Sequence, residues 1–163
     1  MLISEILSAD CTRSAVPCSS KKRVLEIISE LAAPRLGLDE QKLFDSLLAR
    51  EKMGTTGIGG AIAIPHGRIP DGYPVTGVLL TLEQPIPFDA IDNQPVDLLF
   101  AMLVPESECK IHLKTLALVA EKFNDKNFCR QLRLAESDEA LYQQMINGWL
   151  SMKLIVVSGR SGS

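Results

Sequence analysis

The sequence predicts an α/β protein, with helices packed around a single sheet. Three observations point there. Apolar residues recur at helical spacing before a glycine-rich middle stretch, two apolar runs bounded by prolines read as strands, and helical spacing resumes after Pro105. With 163 residues, 46% hydrophobic and 23% charged, the composition is that of one ordinary folded domain. A chain of this size buries about two thirds of the surface its extended form exposes, enough for one core.

Val24, Ile27, Ile28 and Leu31 lie on one helical face behind Ser19-Ser20, either of which can cap. Pro34 and Gly37 are expected to end that helix. Asp39 can cap a second helix with Leu43, Phe44, Leu47 and Leu48 as its apolar stripe, and Arg50 and Lys52 fall where cations suit the helix dipole. Met53-Gly-Thr-Thr-Gly-Ile-Gly-Gly is too glycine-rich for a regular element and reads as a mobile loop. It leads into a short buried strand, Ala61-Ile-Ala-Ile, and a sharp turn at Pro65-His66-Gly67. Residues 77–82 and 96–104 read as strands, the second buried on both faces, with a loop or edge segment at 85–93 between them. Beyond Pro105, Leu113, Leu116, Ala117 and Ala120 define a helical face with Ser107 as its cap, placing His112 near the first turn. Asn124-Asp125 and Ser137-Asp138 open two more helices, carrying Phe128 and Leu132, then Leu141, Met145 and Ile146, the last closed by Gly148.

Seventeen basic and twenty acidic side chains leave a formal charge of -3. No global positive field draws such a chain to nucleic acid or anionic lipid. The one basic cluster, Lys21-Lys22-Arg23, is read as a solvated helix face. The N-terminal stretch lacks a basic n-region and the longest apolar run, Leu98 to Val104, is too short to cross a bilayer, so a cytoplasmic protein without a membrane role is expected. Cys11, Cys18, Cys109 and Cys129 form no C-x-x-C pair and are read as reduced, mostly buried thiols; with two histidines, no metal site and no cofactor are implied.

The candidate chemistry centres on His66, stiffened by Pro65 and given room by Gly67. A neutral imidazole there could attack phosphorus through one nitrogen while a backbone carbonyl holds the other, protonated nitrogen. The same placement also suits a turn histidine with no chemical role. Phosphoryl transfer needs donors for the phosphoryl oxygens. Arg50 offers a planar fork, Thr55 and Thr56 offer hydroxyls, and His112 near a helix start would sit where an anion is favoured.

The stretch Glu51-Lys-Met-Gly-Thr-Thr-Gly-Ile-Gly-Gly-Ala-Ile-Ala-Ile-Pro-His66-Gly resembles the signature of the phosphotransferase-system enzyme IIA domains of the fructose/mannitol class, nitrogen-regulatory branch. Cys11-Thr-Arg-Ser, Leu25-Glu-Ile-Ile-Ser-Glu-Leu-Ala, Phe88-Asp-Ala-Ile-Asp-Asn-Gln-Pro and His112-Leu-Lys-Thr-Leu support it, and the similarity spans residues 1–149 as one type-2 IIA domain. It implies a single mixed sheet flanked by helices on both sides. It also implies a phosphocarrier whose His66 takes a phosphoryl group at Nε2 from a histidine-containing (HPr-like) carrier protein, charged ultimately from phosphoenolpyruvate. Such a protein is a system component with a phosphohistidine intermediate rather than a free-standing enzyme. Arg50 and His112 match the family's other active-site positions, where they contact the phosphoryl group or hold the ring; Thr56 and Gly67 stand as further phosphoryl-binding candidates. The branch implies regulation of partner proteins in nitrogen, carbon or potassium metabolism according to phosphorylation state. Residues 150–163 fall outside the domain. From Met152 they resemble the opening of a phosphate-binding loop that stops before its second glycine and lysine, and are read as an extension or fusion remnant without nucleotide binding.

Docking is expected on an apolar ring of Met53, Ile58, Ile62, Ile64 and Met102 around a recessed His66. Two other readings compete: a sugar-transport IIA component of a fructose/mannitol-type permease, and a binding regulator that is never phosphorylated. The single domain and Ala90-Ile-Asp-Asn-Gln-Pro favour the regulatory branch over the first. A cysteine–histidine hydrolase lacks a recognisable nucleophile turn.

Overall fold

The computed structural model describes residues 2–149, so the stretch at 150–163 that resembles a phosphate-binding loop lies outside the described residues. Its elements are β1 (Thr12–Val16), α1 (Lys21–Leu36), α2 (Glu40–Lys52), β2 (Gly57–Gly59), β3 (Ile62–Ala63), β4 (His66–Ile69), β5 (Thr76–Ile86), β6 (Val96–Pro105), α3 (Cys109–Lys122), α4 (Lys126–Leu134) and α5 (Asp138–Gly148). The strands form one mixed sheet in the order β1-β5-β6-β3-β2, with β4 also on β6. The β5–β6 and β2–β3 pairs are antiparallel; β1 on β5, and β3 and β4 on β6, are parallel.

β6 is buried along its length apart from a half-buried Asp97, as its continuous apolar sequence predicts for a strand covered on both faces. Its side chains alternate between two cores. Leu99, Ala101 and Leu103 meet Leu25 and Ile28 of α1 and Leu47 of α2. Leu98, Phe100 and Met102 face Val119, Leu132 and Leu141 of α3, α4 and α5. The sheet thus divides the single core expected from size into two, and the expected helices lie on both of its sides.

Several local expectations are corrected. Pro34 does not end α1. It sits exposed in the last turn, where one missing N–H is tolerated, and the helix stops at Gly37, whose φ of 72° suits glycine and whose N–H donates to the Ala33 carbonyl at 2.8 Å. Ser20 is the serine that caps α1, its Oγ accepting from Arg23 N at 3.1 Å. The glycine-rich stretch contains the short strand β2. Pro65-His66-Gly67 is not a sharp turn. Ile62 opposes Leu98 and His66 opposes Met102, the same offset before and after Pro65, so β3 and β4 run as one line along β6 interrupted where proline lacks a ladder donor. Ser107 does not cap α3: it lies in a short 3₁₀ turn, Glu106–Glu108, that precedes the helix and leaves Glu108 at the N-cap position, while its own N–H donates to Asp71 Oδ1 at 2.8 Å. That shifts the buried face of α3 to His112, Thr115 and Val119 and leaves Leu113 61% exposed. β1 is an element that the hydrophobic pattern did not mark.

Candidate active site

Arg50 lies in the last turn of α2 and His66 opens β4. Gly67 decides how close these two elements come. A Cβ there would stand 2.9 Å from Ser46 Oγ and 3.2 Å from Leu47 N on α2, so glycine lets the strand lie against the helix. The Ser46 hydroxyl then clamps the strand, donating to Arg68 O at 3.1 Å and accepting from Arg68 N at 2.8 Å. The consequence is a short Arg50–His66 contact: Arg50 Nε donates to His66 Nε2 at 3.0 Å, and Arg50 Nη1 donates to Gly54 O at 2.8 Å.

An arginine only donates, so His66 Nε2 must carry a lone pair, and the ring proton lies on Nδ1, which donates to the Ile64 carbonyl at 3.2 Å. Both neighbours select the same tautomer. Burial, aided by the Arg50 charge, holds the His66 pKa below its ordinary value of 6.5, against the opposing pull of the Ile64 carbonyl and Glu51. The imidazole is therefore neutral at pH 7 with its nucleophilic nitrogen at Nε2.

His112 reaches the same hollow from the first turn of α3. It is 2% exposed, with Nδ1 3.0 Å from Thr115 Oγ1 and Nε2 3.1 Å from Glu108 Oε1. A carboxylate accepts only, which assigns the His112 proton to Nε2 when the ring is neutral. Arg50, His66, Gly67 and His112 all line one solvent-facing cavity of about 570 Å³. Among the described residues, its other charged lining groups are Arg68 and Lys110, with no Asp or Glu, so a chain of net charge -3 presents a local cationic hollow.

Thr56 stands apart. It is buried, its Oγ1 donates to Glu51 Oε1 at 2.5 Å, and it does not line the cavity, so a phosphoryl group on His66 would meet it only if that pair opened. The expected docking ring is also revised. Ile62, Ile64 and Met102 are core residues, 5%, 5% and 0% exposed, and Ile58 is half-buried, whereas Met53 is 83% exposed at the cavity rim together with Leu113. Lys21 is no solvated charge: its Nζ lies 2.9 Å from Glu51 Oε2, donates to the Phe88 carbonyl at 3.1 Å, and stands 4.6 Å over the Phe88 ring. Sequence reasoning missed Glu51, Ser46, Glu108 and Thr115. The i, i+3 spacing of His112 and Thr115 and the i, i+4 spacing of Glu108 and His112 were available signals, whereas the Ser46–Arg68 and Lys21–Glu51 contacts join separate elements.

Comparison with known proteins places this geometry in a family. The family described as phosphoenolpyruvate-dependent sugar phosphotransferase system, EIIA 2, matches residues 5–148. A nitrogen regulatory protein of Escherichia coli (strain K12) is 61% identical over 142 residues, covering 86% of this chain and 87% of that protein. The crystal structure of nitrogen regulatory protein IIA-Ntr from Neisseria meningitidis superposes with a TM-score of 0.79 at 36% identity, covering 88% of this chain and 97% of that one. The crystal structure of IIA mannitol from Escherichia coli, 16% identical with a TM-score of 0.66, shares the fold over 88% of this chain and 97% of its own. With most of its length matched both by the family and by a close relative, the chain belongs to the EIIA type-2 family of the phosphoenolpyruvate-dependent phosphotransferase system, on its nitrogen-regulatory branch.

Proposed function

We propose that this protein is a cytoplasmic regulatory phosphocarrier that receives a phosphoryl group on His66 Nε2 from a phosphorylated, HPr-like carrier protein and controls partner proteins by its phosphorylation state. The observation that carries this reading is the Arg50 Nε to His66 Nε2 contact at 3.0 Å, opposite an Nδ1 held on the Ile64 carbonyl. In the transfer step the Nε2 lone pair attacks the donor phosphorus in line. The new Nε2–P bond forms as the donor N–P bond breaks, and that electron pair returns to the donor imidazole. Nδ1 keeps its proton, and the Ile64 carbonyl steadies the positive charge the ring acquires. Arg50 leaves Nε2 as phosphorus arrives and turns its fork onto the phosphoryl oxygens, with Gly54 O as its pivot. His112 Nε2–H, released from the half-exposed Glu108 carboxylate, supplies a second donor.

Exposed Met53 and Leu113 flank the cationic hollow and form the apolar part of the docking face for the donor. Phosphorylation adds about -1.5 to -2 charges there, which offsets much of the positive charge of Arg50, Arg68 and Lys110 and so changes which partner the face accepts. The regulated processes in this reading are those of nitrogen, carbon or potassium metabolism, and the similarity to nitrogen regulatory proteins supports the first of them.

Incubation of the full chain with phosphoenolpyruvate and the upstream carriers should add the mass of one phosphoryl group, and His66→Ala should add none while keeping its fold by circular dichroism. Absence of any mass gain in the parent chain would support a regulator that acts by binding alone. Passage of the label to a sugar when a cognate permease is supplied would favour a transport component.

A further inference from the structure

We infer that Glu51, paired with Lys21, is a positioning residue that sets the tautomer of His66 and the reach of Arg50 by holding Thr56 as the hub of the site; the inference rests on His66 being the phosphoryl acceptor. Glu51 follows Arg50 in α2, and its side chain is 3% exposed. A buried carboxylate is costly unless its oxygens are occupied. Here one oxygen accepts from Thr56 Oγ1, and the other accepts from Thr56 N at 2.9 Å and meets Lys21 Nζ at 2.9 Å.

One line of hydrogen bonds runs from Thr56 to the imidazole, and a second reaches it from the turn at the end of α2 that leads into Thr56. Along the first, the Thr56 carbonyl accepts from Ile64 N at 3.0 Å, and the Ile64 carbonyl accepts from His66 Nδ1 at 3.2 Å. Along the second, residues 53–56 are drawn back over the end of α2. Gly54 N donates to Glu51 O at 3.2 Å, and the Gly54 carbonyl receives Arg50 Nη1 at 2.8 Å, which leaves Arg50 Nε aimed at His66 Nε2. Lys21 and Thr55 both donate to the Phe88 carbonyl, at 3.1 and 3.2 Å, so α1 and the segment after β5 brace the same hub. Thr56 therefore serves the site from behind. Its hydroxyl is spent on Glu51, and its carbonyl places the residue that orients the ring.

The test uses the two-histidine chain labelled with 15N at histidine, His66 being assigned by comparison with His66→Ala. Long-range 1H–15N spectra report which ring nitrogen carries the proton. In the parent chain His66 Nε2 is expected to show the unprotonated signature. Glu51→Leu, made alone and with Lys21→Met so that no ammonium is stranded, should move it toward a mixture of tautomers. It should also lower the rate of phosphoryl acceptance at saturating donor by about 10²-fold, the order of loss for a misplaced reacting group, with little change in KM. Glu51→Gln can still accept from Thr56 N and donate to Thr56 Oγ1, so it should restore the parent signature. If the leucine variants do not fold, Thr56→Val supplies the same readout by removing only the hydroxyl. An unchanged Nε2 signature in the folded leucine or valine variants would overturn the inference, as would equal shifts in Glu51→Leu and Glu51→Gln. Because the tautomer is read without phosphoryl transfer, failure of the parent chain to accept phosphate would reject the proposed function and leave this result to be judged separately.

Discussion

At the residue scale, the site depends on keeping one nitrogen lone pair available in a cationic hollow. Burial and Arg50 lower the His66 pKa below 6.5, so the unfolded chain takes up a proton before the folded chain does. Stability should therefore fall as pH drops from above 6.5 toward the folded value, and recover as pH rises. Urea midpoints across that range should show a smaller slope for His66→Gln than for the parent. Phosphoryl acceptance should share the same sign, flat near pH 7 and declining in acid as the lone pair is lost, which single-turnover mass measurements would follow. For Arg50, whose Nε and Nη1 bridge His66 and Gly54, replacement by alanine removes the pre-aimed donor and leaves the acceptor. Loss of one such donor costs about 10²- to 10³-fold in rate. The same time course should show Arg50→Ala reaching full occupancy slowly.

At the element scale, the contact between α2 and β4 is what makes Arg50 and His66 neighbours. Their separation along the chain says nothing about it. The Ser46 clamp satisfies both backbone groups of Arg68 on a strand that, among the described residues, pairs with β6 alone. Gly67→Ala must push the strand from the helix or distort Leu47, because the new methyl meets backbone as well as the Ser46 side chain. Overpacking of this kind costs about 1–3 kcal/mol. The expected result is a lower urea midpoint accompanied by slower phosphoryl acceptance, since Arg50 recedes with α2. A stability loss with an unchanged rate would separate the packing role of this glycine from the geometry of the site.

At the scale of the molecule, one sheet carries two cores, and β5 and β6 belong to both. Damage on one face should therefore propagate to the other. Phe100 is fully buried on the α3–α5 side, with its ring edge-on to Phe123 at 6.4 Å. Phe100→Ala should cost about 3–5 kcal/mol. Thermal unfolding followed by far-UV and near-UV circular dichroism should remain coincident at a lower Tm, as expected when both layers melt together. Two separated transitions would show that the α1–α2 layer and the α3–α5 layer fold independently.

Local chemistry made much of this legible in the sequence. Helical spacing located α1, α2, α4 and α5, the continuous apolar run marked β6 as doubly covered, and the Gly-Ala-Ile-Ala-Ile-Pro-His66 stretch pointed to the imidazole. These signals are carried by neighbours within a few residues. β1 was missed because Thr12-Arg-Ser-Ala-Val is short and mixed in polarity; its place comes from parallel pairing with β5. The face of α3 was misread because spacing alone allows more than one stripe, and the structure buries His112, Thr115 and Val119. What the sequence alone determined, then, was the set of elements and the residues able to do chemistry. Only the tertiary structure decided that Lys21 from α1, Glu51 from α2 and the Thr56 carbonyl would converge behind His66, because a buried charge takes its partners from whichever elements packing brings to it, and no local period encodes that meeting.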